Sequence, residues 1–269
     1  MKLHHNPFQI FYGSKTPAGL YARQKWLGEE STLAWQNDFK SCVDALFVGQ
    51  LPNGSWQQSS IATIINLFGL HLTVRKADKR INDALEWLLD KIQLISKCLC
   101  VQTDSDIMRA DLSSLPFVLS RSEMLFTGAT LFLFSIFNRQ NDPTILAIYQ
   151  WLNKEGFTRE NLNTDIASMH NIFRSLVVHP KFTNEDLTVK IAEIYAGLQN
   201  EKGDWAYGLP FYQTLNALGH LNLSQAEIQL ERAFTRLIKT QKSDGTWGGR
   251  DLEWNTFLSI HVLKNKGLL

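Results

Sequence analysis

Clustered carboxylates and aromatic rings are the side chains of this sequence best suited to chemistry. Three short clusters hold the acids: Asp104-Ser105-Asp106, Asn163-Thr164-Asp165 and Asp251-Leu252-Glu253. A carboxyl that acts as a general acid must be kept protonated by its surroundings, and neighbouring acids and hydrogen bonds tune that balance. Each cluster also stands where a helix is expected to begin, so capping of a first turn is the structural alternative. Trp254, Tyr212, Phe211 and Tyr207 form the aromatic group. Their π-faces can stabilise a cation, and their places relative to the repeats described below set them near one rim; plain core packing is the alternative.

Other reagents are lacking. His170 and His220 lie on expected helices without a partner at metal spacing, and Cys42, Cys98 and Cys100 lack the C-x2-C pairing of a structural zinc site. No Gly-x-Ser-x-Gly elbow surrounds Ser41, Ser135 or Ser168, and neither a phosphate loop nor a dinucleotide fingerprint occurs. No metal and no cofactor are expected.

These residues need a scaffold, and a repeat supplies the expectation for it. Three times a Gln is followed six positions later by a Trp with a glycine just before it: Gln50 to Trp56, Gln199 to Trp205 and Gln241 to Trp247. Upstream of each Gln runs an apolar stripe at helical spacing, Cys42/Leu46/Phe47, Ile191/Tyr195/Leu198 and Phe234/Leu237/Ile238; downstream of each Trp runs another, Thr63/Leu67/Leu70, Thr214/Leu218/Leu221 and Thr256/Ile260/Leu263. One unit is therefore helix, glycine turn, Trp, helix. The Gln amide is suited to bind backbone groups left open at helix ends while the indole packs over the junction.

Degenerate copies around 149–157 and 84–100 fill the gap between Trp56 and Trp205. The pattern predicts about twelve helices, near 17–28, 33–50, 59–74, 79–96, 105–114, 121–138, 142–155, 164–178, 185–199, 209–221, 224–241 and 252–265, with no strand. Helical units that cannot bury their apolar faces alone must stack. Open solenoids need polar capping repeats, and here the terminal units are as apolar as the middle ones. The expectation is an all-α chain folded as one α/α toroid over 1–269, two concentric layers of helices around a cavity, with 1–30 as an aromatic covering segment and first helix.

Composition agrees with a packed chain: 269 residues, 44% apolar and 11% aromatic, net charge +1 with both signs interleaved. No basic run suggests nucleic acid. The most apolar stretch, Met124 to Phe137, spans about fourteen residues, short of the roughly 20 that cross a bilayer, and the N-terminus lacks the apolar region of a leader. A cytoplasmic protein is expected, with three thiols suited to a reducing compartment; peripheral membrane contact and a protein partner stay open.

The Gln-to-Trp motif resembles the QW repeats of the terpenoid cyclases, squalene-hopene cyclase above all, and the toroid of protein prenyltransferase β subunits; Gln241 to Trp247, followed by Gly248-Gly249, is the best match. The resemblance covers the chain from about residue 33 onward and implies a cavity for an apolar, isoprenoid-type molecule. Class II cyclases of this family protonate their substrate with the middle acid of Asp-x-Asp-Asp-Thr-Ala. No intact copy exists here; Asn163-Thr164-Asp165-Ile166-Ala167-Ser168 keeps the central Asp165, Asp104-Ser105-Asp106-Ile107 is a second partial match and Asp251-Leu252-Glu253 a third. For an enzyme, the resemblance implies Asp165 as general acid with Thr164 or Asn163 as hydrogen-bond partners, and Asp106 as the next candidate. The prenyltransferase zinc, held by Asp, Cys and His, is not implied, because the cysteines lie far from Asp251 and Asn255 stands where the His would be. Two alternatives remain: a non-catalytic toroid that binds a protein or lipid, and a β-type subunit of a prenyltransferase-like heterodimer.

Overall fold

A computed structural model describes residues 2–74, 76–95, 98–156, 165–206 and 208–269. Among them the fold is all-α apart from one small hairpin, with eleven α-helices: α1 (Pro17–Lys25), α2 (Leu33–Phe47), α3 (Ser60–Thr73), α4 (Lys79–Leu89), α5 (Ser122–Ile136), α6 (Pro143–Trp151), α7 (Ile166–Leu176), α8 (Asp186–Leu198), α9 (Phe211–Leu218), α10 (Ser224–Lys239) and α11 (Leu252–Asn265).

Local chemistry sets the helix starts. The side chains of Thr16, Thr32, Ser59, Asp78 and Asp142 each accept a hydrogen bond from a first-turn amide, and Pro17 and Pro143 occupy positions where no amide is needed. The helices fall into two kinds. Along α5 every residue from Met124 to Ser135 is buried, and α3 is nearly as enclosed, as expected for helices surrounded by protein. By contrast, α4 buries Ile81/Ala84/Leu85/Leu88 and α10 buries Ala226/Leu230/Ala233/Leu237, leaving their other faces wet. Helices α1, α3, α5, α7, α9 and α11 each pack on the next in that order, and α11 packs back on α1. Helix α2 lies against α1 and α3, α4 against α3 and α5, α8 against α7, and α10 against α8 and α9.

The three Gln-Trp segments share one hydrogen-bond scheme. Gln50 Nε2 donates to the carbonyls of Gly54 and Arg80, both at 2.9 Å. Gln199 Nε2 donates to Gly203 O at 3.5 Å and to Gln229 O at 2.9 Å. Each amide thus ties the end of one helix to the one after next, α2 to α4 and α8 to α10. In the third copy Gln241 Nε2 donates to Gly245 O at 3.1 Å and to His5 O at 3.0 Å, while its Oε1 accepts from the amides of His4 and His5. The N-terminal segment therefore stands where another helix would be. The glycines repeat the pattern: Gly54, Gly203 and Gly245 have φ of +90°, +77° and +85°, and a β-carbon on them would overlap the backbone of Asp83, Arg232 and Asn6 respectively.

Two expectations fail locally. The helix expected over 79–96 stops at Leu89, and an antiparallel hairpin follows, β1 (Ile92–Ile95) with β2 (Cys98–Val101), Ile92 facing Val101. Ile92 is buried while Gln93 and Cys100 are exposed, the alternation of a half-buried strand. The helix expected over 105–114 is a 3-10 turn, Ser105–Arg109; beyond it the Asp111 carboxylate accepts from Ser113 N at 2.9 Å, a local turn that competes with helix. No helix of the described residues is long and apolar enough to cross a membrane.

Candidate functional site

Two adjoining chambers lie between the helices that pack in sequence. The larger, about 470 Å³, is lined by Thr16, Pro17 and Ala18 at the start of α1, Leu46 of α2, Ile65, Phe68, Gly69 and Leu72 of α3, residues 113–115, and Asp251 to Trp254 at the start of α11. The smaller, about 290 Å³, draws a side chain from every one of α1, α3, α5, α7, α9 and α11, among them Tyr21, His71, Phe132, Arg174, Asn216 and His261. Phe68, Leu72 and Trp254 line both, so these three form the partition. Both volumes fall at the scale of small-molecule sites, about 300–1,000 Å³.

Aromatic rings interlock around the partition. Trp254 stacks on Phe257 at 5.3 Å between centroids and meets Phe68 edge-on at 5.7 Å. Phe257 in turn stacks on His261 at 5.9 Å.

In the wall of the larger chamber Glu253 accepts hydrogen bonds from Ser14 Oγ, at 2.8 Å, and from Thr16 Oγ1. Thr16 also caps α1 through Gly19 N at 2.9 Å, so the carboxylate pins the first helix to the last.

The smaller chamber carries the polar chemistry. Arg174, in the last turn of α7, is 3% exposed; its Nε and Nη1 are sealed from solvent and meet no hydrogen-bond partner among the described residues. Its guanidinium carbon lies 5.8 Å from the centre of the Phe132 ring. Burial lowers its pKa to about 10, so it stays charged near neutrality. Asn216 Nδ2 lies 3.0 Å from His261 Nδ1, and the rings of His220 and His261 are 5.6 Å apart. Burial first, then the charge of Arg174, pushes His261 down to about 4 and His220 well below its ordinary value, which keeps both imidazoles neutral.

The residues expected from the sequence scatter. Asp165 is the N-cap of α7: one carboxylate oxygen accepts from Ser168 N at 3.1 Å and the other lies 3.4 Å from Arg121 Nε. It lines neither chamber. Asp106 is exposed on its 3-10 turn. Its neighbour Asp104 accepts from both Ser60 N and Ser60 Oγ at 2.7 Å and faces Lys91 at 3.5 Å; against the burial that would raise it, those bonds and that charge hold its carboxyl below the usual range. Trp254 lines both chambers. Phe211 and Tyr212 instead pack at the Trp205 junction, with Trp205 5.8 Å from Phe211 and Arg236 over the Phe211 ring at 5.1 Å. Tyr207, Asn163 and Thr164 lie outside the described residues. His170 is buried with Nδ1 3.2 Å from the Tyr195 hydroxyl, and no group of three or more His, Cys, Asp and Glu among the described residues is placed to hold a metal. Sequence reasoning missed Arg174 and His261, and read His220 only as a structural imidazole.

No family model and no curated protein matches the chain. A solved structure, of a protein from Actinoplanes, is similar to it at 16% identity with a TM-score of 0.60, over 96% of this chain and 90% of that one. At that identity the likeness concerns the fold alone.

Proposed function

We propose that the chain is an α/α toroid similar to the terpenoid cyclase and prenyltransferase β-type domains, and that its central cavity binds an apolar, isoprenoid-type small molecule. The circuit of α1, α3, α5, α7, α9 and α11, with α11 back on α1, supports the toroid. So does the N-terminal segment bound by Gln241 in the place of a further helix. The observation that carries the binding role is the pair of chambers sharing Phe68, Leu72 and Trp254, walled largely by aliphatic and aromatic side chains. On this reading Asp165 is a structural cap and delivers no proton. Should turnover accompany binding, Asp251 and Glu253 are the carboxylates in the chamber wall placed to take part.

Native mass spectrometry and calorimetry with geraniol, farnesol and squalene test the reading. Farnesol is expected to be retained by the wild-type protein and lost in Leu72→Trp, which fills the partition, with the helical circular dichroism unchanged. Retention of none of the three, or undiminished binding by the filled variant, would overturn it.

A further inference from the structure

We propose that the smaller chamber is a carboxylate site, in which Arg174 receives the acid head of a ligand whose apolar tail passes Phe68, Leu72 and Trp254 into the larger chamber. The inference rests on the binding role proposed above and adds the chemistry of the head group.

An isolated charge withdrawn from water is costly unless it is paired and hydrogen-bonded. Arg174 is withdrawn in this way: among the described residues its Nε and Nη1 meet no partner and no Asp or Glu lines its chamber. The other side chains with polar atoms that line the chamber are Asn216, His71, His220, His261, Tyr21 and Trp254. None of them carries a negative charge to balance the guanidinium, and the carbonyl end of α7 offers only a partial one. Arg174 lines the chamber, and its guanidinium can offer a carboxylate a charge-assisted hydrogen bond.

Charge count selects the class of anion. Among the described residues Arg174 is the only Lys or Arg lining this chamber, and burial keeps the imidazoles of His220 and His261 neutral. One positive charge suits a monovalent carboxylate, whereas a diphosphate would bring charges that nothing in the lining neutralises. The larger chamber has no Lys or Arg in its wall among the described residues and carries two acids, Asp251 and Glu253, at the start of α11; its aliphatic and aromatic part, Leu46, Ile65, Phe68, Leu72 and Leu115, suits the tail.

The test compares farnesoic acid, farnesol and farnesyl diphosphate by calorimetry on the wild-type protein, Arg174→Met and Arg174→Lys. The wild type is expected to bind the acid at least ten-fold tighter than the alcohol and tighter than the diphosphate. Arg174→Met is expected to lose that preference, binding acid and alcohol equally, and, without ligand, to unfold at a higher temperature because the unpaired charge is gone. Arg174→Lys is expected to keep part of the preference. Equal binding of acid and alcohol by the wild type, a preference that survives in Arg174→Met, or a diphosphate that binds best would each sink the carboxylate assignment while leaving the apolar binding role standing. If none of the three binds, both fall. Should Arg174→Met not fold, the side chain is structural and the assignment fails.

Discussion

Replacing Gly203 with alanine tests the claim that the Gln-Trp junctions are built around a glycine pressed on a neighbouring helix. Two costs combine there. The φ of +77° is strained for any L side chain, worth ~1–2 kcal/mol. The new methyl would also overlap the Arg232 carbonyl, which belongs to α10 and cannot rotate away, and overpacking of that kind adds ~1–3 kcal/mol. Gly49 supplies the control, since its φ of +76° is nearly the same but a β-carbon there meets nothing within 4 Å. Urea denaturation followed by circular dichroism should place Gly49→Ala about 1–2 kcal/mol below the wild type and Gly203→Ala about 2–5 kcal/mol below it, with unchanged slopes. Equal losses in the two variants would refute the idea that close approach, rather than backbone conformation alone, fixes the glycine.

Acid should weaken the fold. Burial pushes His170 to about 3 and His261 to about 4, whereas unfolded imidazoles take up protons near 6.5. The contribution is therefore fully present above about pH 6.5 and is lost as the pH falls toward 4, with a slope of up to ~1.4 kcal/mol per pH unit for each imidazole, measurable as a falling urea midpoint. Tyr149→Phe removes a buried hydroxyl bonded to Ser135 Oγ and to the Ser175 carbonyl, each at 3.1 Å, and should cost ~1–2 kcal/mol in the same assay. Asp165→Ala should cost ~1 kcal/mol as a lost cap, Asp165→Asn clearly less, and both should retain farnesol with wild-type affinity by calorimetry.

Helical patterning made most of the element order readable, because apolar spacing and cap residues act within a few positions of one another. The Gln-Gly-Trp junctions were visible as a motif, yet their partners were not, since Arg80 and Gln229 sit 30 residues downstream and His5 at the opposite end of the chain. The hairpin escaped because Ile92 to Ile95 is four residues long, too short for alternation to stand out beside the helical stripe before it. Arg174 escaped for a different reason. On a lone helix it reads as a cation in the last turn, matched to the carbonyl end; only the enclosure of α7, where every residue from Ser168 to Leu176 is buried, makes it a charge facing a cavity. Asp165 illustrates the converse: an acid legible as a motif remnant turns out to spend both oxygens on a first turn and an arginine.

The pairing of His4 and His5 with Gln241 joins positions up to 237 residues apart. Loop closure over such a span costs conformational entropy that local helix formation does not, so the contact acts as a latch whose closure depends on the helices between being assembled. A latch of that kind can also engage the wrong body: an opened molecule presents the Gln241 amide and the backbone at Gly245 to the leading segment of a neighbour, so exchange of N-terminal segments between copies is a misassembly to watch for at high concentration.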